Sequence, residues 1–137
     1  MNYWLLKTEP DTYSWTDQVK KGTEPWSGVR NFSARTNLKA MKKGDRAFFY
    51  HTGDEKQIVG IVTVTKEAYP DPSDKTGAFV MVDVKADRPL KTPVTLKDVK
   101  ATPELADMEL VRLARLSVQQ VSAEAWNRIC KMGGVKA

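Results

Sequence analysis

The sequence predicts an α+β fold: a small mixed or antiparallel β-barrel surrounded by short helices. Three observations lead there. Apolar, aromatic or β-branched runs recur at Tyr3–Thr8, Arg46–His51, Gln57–Thr65 and Phe79–Asp87, bounded by Gly, Pro or Asp. The last run alternates, with Val80, Val82, Val84 and Ala86 on one side and Met81, Asp83 and Lys85 on the other. The segments between them are short helical patterns and hairpin-length loops, not the regular strand–helix alternation of a parallel sheet. At 137 residues the chain is read as one domain over residues 1–137, long enough to bury a core.

The first strand, Tyr3–Thr8, is stopped by Pro10. Ser14 is placed to cap a helix over Trp15–Lys21, closed by Gly22. Pro25-Trp26-Ser27-Gly28 is a turn running into a helix from Phe32 or Ser33 to Met41, with Asn31 or Ser33 as the cap. Ala34, Leu38 and Met41 fall at helical spacing on that segment, and Lys43-Gly44-Asp45 ends it. After the aromatic strand Arg46–His51, the polar loop Thr52–Lys56 turns into Gln57–Thr65, where Gly60 signals a bulge or a close backbone approach. Glu67–Asp74 reads as an irregular loop and Arg88–Val94 as an extended connection. Thr95 caps a short helix over Leu96–Lys100, Glu104–Leu110 is helical by composition, and Ser117–Val121 is extended. Ser122 opens a last helix, Ala123–Lys131, with Trp126, Ile129 and Cys130 inward and Gly133-Gly134 at its end.

Composition narrows the function. The net charge is +5, and residues 1–50 carry nine Lys and Arg against five Asp and Glu. That balance suits a polyanionic partner such as nucleic acid, and equally a solvated surface with a mild basic bias. No apolar run approaches a membrane span, so no membrane association is expected, and the N-terminus lacks the order of a signal peptide. The lone Cys130 forms no internal disulfide, which makes the cytoplasm the default location. One histidine and one cysteine are too few for a Cys/His metal site, and no phosphate-binding glycine loop is present. No enzymatic activity, metal or cofactor is therefore expected, and a monomer is the default.

The richest stretch is Trp26 to Leu38, with two arginines, two asparagines and aromatic rings around a turn beside a helix start. Trp4, Trp15 and Trp126 sit in strand or amphipathic contexts and are assigned to the core. Trp26 stands in the turn, where a large ring is more easily offered to a base. Arg30 and Arg35 can reach phosphates or stack on a base. Asn31 and Asn37 each offer a donor and an acceptor to a heterocycle edge. Tyr50 and His51 end an aromatic strand with polar handles.

These residues carry a resemblance. Tyr3-Trp4-Leu5-Leu6-Lys7-Thr8-Glu9-Pro10, Tyr13-Ser14-Trp15, Trp26-Ser27-Gly28-Val29-Arg30-Asn31, Ala34-Arg35, Asn37-Leu38, Phe49-Tyr50-His51, Gly60-Ile61 and Ala68-Tyr69-Pro70-Asp71 resemble, in order and spacing, the EVE domain family. The resemblance implies a PUA-like fold and a function akin to the YTH domains: binding nucleic acid, DNA or RNA, by taking one flipped and modified base into a pocket. It implies that Lys7, Thr8 and Glu9 line that pocket from the end of the first strand. Trp26 and Ser27 would act as a Trp-Ser pair that packs beside the base and reads its edge. Asn31 and Asn37 would follow on the helix, and Tyr50 and His51 would form the opposite wall. Tyr69 or Pro70 stands where YTH domains place a second cage tryptophan. Arg30, Arg35, Lys39 and Lys42, with Lys7, would contact phosphates. The rival readings are an enzyme acting on the bound base and a protein-interaction adaptor.

Overall fold

The computed structural model describes residues 1–137. Its centre is one six-stranded sheet in the order β2-β5-β4-β3-β1-β6. The strands are β1 (Tyr3–Thr8), β2 (Thr23–Pro25), β3 (Arg46–His51), β4 (Gln57–Pro70), β5 (Val80–Thr95) and β6 (Val118–Val121). The helices are α1 (Trp15–Lys21), α2 (Phe32–Ala40), α3 (Leu96–Lys100), α4 (Glu109–Arg112) and α5 (Ala123–Met132). β1 and β3 pair in parallel, and every other ladder is antiparallel.

The sheet is open, which corrects the expected barrel. β2 and β6 lie at opposite edges of the strand order. The reason lies in the strand alternation. Leu5, Phe48, Tyr50, Ile58 and Ile61 pack on one side with Trp126, Ile129 and Cys130 of α5. Trp4, Leu6, Phe49, Val62, Val64, Val82 and Val84 pack on the other with Ala34 and Leu38 of α2. A small barrel fills a single interior with side chains, whereas this sheet buries both faces under helices.

Local chemistry sets most element ends where the sequence places them. Ser14 caps α1 in a capping box with Asp17, and Thr95 caps α3 in the same way with Asp98. Asn31 caps α2 by accepting the Ala34 amide at 2.9 Å, and Ser122 caps α5 through Ala125. Gly60 permits a close approach: a Cβ there would sit 2.6 Å from ring carbons of Trp15. The β3–β4 register also shifts beside it, between Phe49 and Tyr50.

Four elements differ from expectation. β4 runs on to Pro70 through residues read as loop, and β5 runs on to Thr95 through Arg88–Val94. The two pair over most of their length with several register shifts, which let the ladder pass Pro89 and Pro93. Thr23–Pro25, read as a lead-in, is a short edge strand on β5. Glu104–Leu110 is broken, with a 3₁₀ turn at Pro103–Leu105 and a separate α4.

Candidate functional site

The site is built where β2 leaves the sheet. The Trp26 amide donates to the Val82 carbonyl at 2.7 Å, so the ladder of β2 continues one residue beyond the strand. The Ser27 amide then turns back to the Pro25 carbonyl at 3.1 Å. Gly28 follows at φ 83°, in the left-handed region that favours glycine. Its amide donates to Asp71 Oδ2 at 2.8 Å, and Arg30 Nη1 donates to the same oxygen at 3.2 Å. Arg30 Nη2 also donates to the Ser73 hydroxyl at 2.8 Å.

Asp71 is thus the clasp of the turn. It is buried, and burial pushes its carboxyl up. Hydrogen bonds from the Ser73 hydroxyl and amide, the Gly28 amide and Arg30 more than offset this and hold it at about 2. Both carboxylate oxygens are occupied, because Oδ1 accepts from Ser73 at 2.8 Å (amide) and 2.6 Å (hydroxyl).

Between this turn, the end of β1 and the loop before α1 lies a cavity of about 670 Å³. Ligand pockets commonly span about 300–1,000 Å³. Of the residues the sequence proposes, Lys7, Thr8, Trp26, Ser27, Arg30 and Asn31 line it. Trp26 is a wall and not a displayed ring. It is only 8% exposed, and it meets Phe49 and Tyr13 edge-to-face at centroid distances of 5.6 and 5.9 Å. Its backbone is still in the sheet register, so its ring joins the core of that face. Lys7 is half-buried, which lowers its pKa, and its ammonium donates to the Ala114 carbonyl at 2.7 Å. Two of its three donors remain for a ligand. The Thr8 hydroxyl is committed to the Tyr13 carbonyl at 2.8 Å. Asn31 Oδ1 caps α2, which leaves the amide nitrogen.

The remaining candidates lie elsewhere. Asn37 is buried and ties α2 to β6: its Nδ2 donates to the Val118 carbonyl at 2.7 Å and its Oδ1 accepts from Gln120 at 3.3 Å. His51 Nε2 accepts the Trp15 amide at 3.0 Å, which puts the ring hydrogen on Nδ1, 2.8 Å from Glu55 Oε1. That bond from His51 is the main reason the Glu55 carboxyl is lowered. Tyr50 belongs to the opposite core cluster from Trp26 and approaches the site only through the Lys7 ammonium, 5.7 Å from its ring. Glu9 is exposed and accepts from Thr52 at 3.2 Å. Tyr69 donates to Asp83 from within β4, its hydroxyl pushed up to about 12 by burial first and then by that carboxylate. Pro70 is exposed at the end of the same strand. Arg35 donates to the Ala78 carbonyl at 2.9 Å, beside the cavity and not in its lining. Lys39, in the last turn of α2, and Lys42, just beyond its Met41 cap, are exposed at the end of the helix away from the cavity.

Of the other lining residues, Pro25, Gly28 and Val29 belong to the Trp26 turn, and Thr12, Tyr13, Glu24 and Ser117 come from outside it with no role assigned in the sequence. Tyr13 had a signal in Tyr13-Ser14-Trp15, and Asp71 had one in Tyr69-Pro70-Asp71. Tyr13 donates to Gln18 Oε1 at 3.0 Å, and its hydroxyl is pushed up to about 12 by burial and then by Glu24 and Asp17. Glu24 and Ser117 come from segments with no local motif, and only the fold brings them here. No group of three or more His, Cys, Asp or Glu side chains is arranged to hold a metal ion.

Comparison with known proteins fits this geometry to a family. The EVE domain profile matches residues 2–132. A Rhodopseudomonas palustris protein solved by NMR is 59% identical, with a TM-score of 0.93 over 98% of this chain and 94% of that one. Human THYN1, solved in complex with DNA containing 5-methylcytosine, is 31% identical with a TM-score of 0.91 over all of both chains. Mouse thymocyte nuclear protein 1 is 35% identical over 96% of this chain and 73% of its own length. The nuclear names of such relatives overturn the cytoplasmic expectation, which rested only on an unpaired cysteine and a missing signal sequence. With the profile covering nearly every residue, and the turn, clasp and cavity all within it, this chain belongs to the EVE domain family.

Proposed function

We propose that this chain binds nucleic acid, with DNA carrying a modified cytosine as the leading ligand, by accepting one flipped base in the cavity beside Trp26. The observation that carries this reading is the cavity itself: an aromatic wall and uncommitted polar groups on the Trp26–Asn31 motif. The likeness to human THYN1, whose structure holds 5-methylcytosine DNA, supports the choice of ligand.

Each role follows from what a side chain has left to offer. Trp26 and Tyr13 supply the apolar wall, where a flat base and a 5-methyl group lose water. The exposed Ser27 hydroxyl and the Asn31 amide nitrogen read the base edge. Glu24 pairs one carboxylate oxygen with the Lys21 ammonium at 3.0 Å and offers the other as an acceptor, the group that suits the exocyclic amine of cytosine. Lys7 and Arg30 at the rim are placed for phosphates, and both are held in position by their own hydrogen bonds.

The test is a fluorescence-anisotropy titration of short DNA and RNA, single-stranded and duplex, each with cytosine or 5-methylcytosine at one central position. The expected result is tighter binding of methylated DNA, with affinity falling as salt rises. Equal binding of every probe, or a response flat in salt, overturns the reading.

A further inference from the structure

Beside the cavity stands a largely exposed aromatic ring. Phe32 is the first residue of α2 and is 62% exposed. Its ring stacks on Phe79 with centroids 5.3 Å apart and planes at 27°. The Arg35 guanidinium lies 4.8 Å from the Phe32 centroid, and the Arg30 guanidinium 5.5 Å from that of Phe79. Hydrogen bonds to the Ala78 carbonyl and the Ser73 hydroxyl fix the two arginines. Phe32 is therefore an exposed ring on a ledge that is already assembled, and stacking costs little further side-chain order.

The ledge is continuous with the cavity. Arg30 belongs to both, and Asn31, the cavity residue that caps α2, is bonded directly to Phe32. The nearby carboxylates are turned inward: Asp71 is consumed by Gly28, Arg30 and Ser73, and Asp74 by Thr76 and Phe79 within its own loop. What faces outward is an aromatic ring with guanidinium charge beside it, the combination that stacks on bases and attracts a phosphate backbone.

We propose that Phe32 stacks on the nucleobase next to the one held in the cavity, with Arg35 supporting the ring, so that the protein engages two successive bases. This rests on the base-binding reading above. Phe32 then acts on the flanking nucleotide and not on the modified base, and it adds affinity for a strand without adding selectivity for the modification. An exposed ring serving only to hold the 71–79 loop against α2 would contribute nothing to this distinction.

Wild type, Phe32→Ala and Phe32→Trp are titrated with three probes: 5-methyl-2′-deoxycytidine monophosphate, a short single-stranded DNA with one 5-methylcytosine, and the same DNA with abasic sites on both sides of it. Phe32→Ala is expected to weaken the intact strand about ten-fold, to leave the mononucleotide unchanged, and to match wild type on the abasic strand. Phe32→Trp should restore binding of the intact strand. Equal losses on the mononucleotide and the strand, or no loss on the strand, overturn the stacking role while the cavity reading stands. Wild type that takes none of the probes overturns both. Concentration-dependent self-association abolished by Phe32→Ala, with strand affinity intact, would assign the ring to a second copy of this chain instead.

Discussion

The carboxylate of Asp71 accepts the amide hydrogen of Gly28 at 2.8 Å across 43 residues of sequence. This one bond joins the loop after β4 to the lip of the cavity, and Arg30 shares the same oxygen. Removing the acceptor leaves a left-handed glycine turn without its anchor. Asp71→Ala is expected to cost about 2 kcal/mol or more in urea unfolding and to lower nucleic-acid affinity at temperatures where the variant remains folded. The pH dependence adds a sign. The folded carboxyl titrates at about 2, below its ordinary 3.8. Its stabilisation is therefore complete above about pH 4 and is lost as pH falls towards 2. The stability gap between wild type and Asp71→Asn should narrow over that interval, and a gap independent of pH would contradict the clasp.

Trp26 is both wall and core, so its replacement mixes two effects. Trp26→Ala removes packing on Phe49 and Tyr13 and is expected to destabilise the fold by about 3–5 kcal/mol. Trp26→Phe keeps an aromatic ring and most of the burial. It should cost less stability and still weaken binding of the modified strand, because a smaller ring covers less of the base. Thermal unfolding and anisotropy on the same preparations separate the two, and unchanged affinity in Trp26→Phe would remove the ring from the pocket.

His51 should behave as a structural residue. Its Nε2 accepts the first amide of α1, and its Nδ1 holds Glu55. His51→Ala leaves the Trp15 amide without its acceptor and is expected to cost about 1–3 kcal/mol in denaturant unfolding, while affinity for the modified strand stays within about two-fold of wild type. A large affinity loss at full folding would return His51 to the site.

Gly60 tests the packing that holds α1 on the sheet. A Cβ at this position meets the Trp15 ring at 2.6 Å. Gly60→Ala should lower stability by about 1–3 kcal/mol, and Gly60→Ala with Trp15→Leu should recover part of that loss, since the smaller side chain removes the clash. Additive costs in the double variant would rule out the contact as the cause.

Much of the fold was legible because its signals are local. β1, β3 and α1 begin and end where side-chain period, caps and glycines put them, and α5 begins at its cap and runs one residue further than expected, to Met132. The paired faces of β3, Phe48 with Tyr50 against Phe49, follow from alternation alone. β4 and β5 were underestimated because Tyr69-Pro70 and Pro89 through Pro93 read as breaks, and only their mutual ladder with its register shifts keeps them extended. Half the site followed the same division. Lys7, Thr8, Trp26, Ser27, Arg30 and Asn31 meet at the cavity, since they lie at the end of one strand and on one turn. Asn37, His51 and Tyr69 each have a polar group that suits a ligand equally well, but the fold spends it on a backbone or side-chain partner, and Tyr50 packs in the core cluster on the other face of the sheet from Trp26.

By itself the sequence determined the α+β class, the helix caps, the basic bias of the first fifty residues and the motif around which the cavity forms. Each of these is a property of residues close in the chain, where spacing dictates what a side chain can reach. The tertiary structure alone decided that the sheet stays open with a core on both faces, that Trp26 is a buried wall, that Asp71 clasps the turn, and that Glu24 and Ser117 join the site. Those outcomes depend on strand order and on which partner first satisfies a buried polar group, and such partners lie tens of residues away.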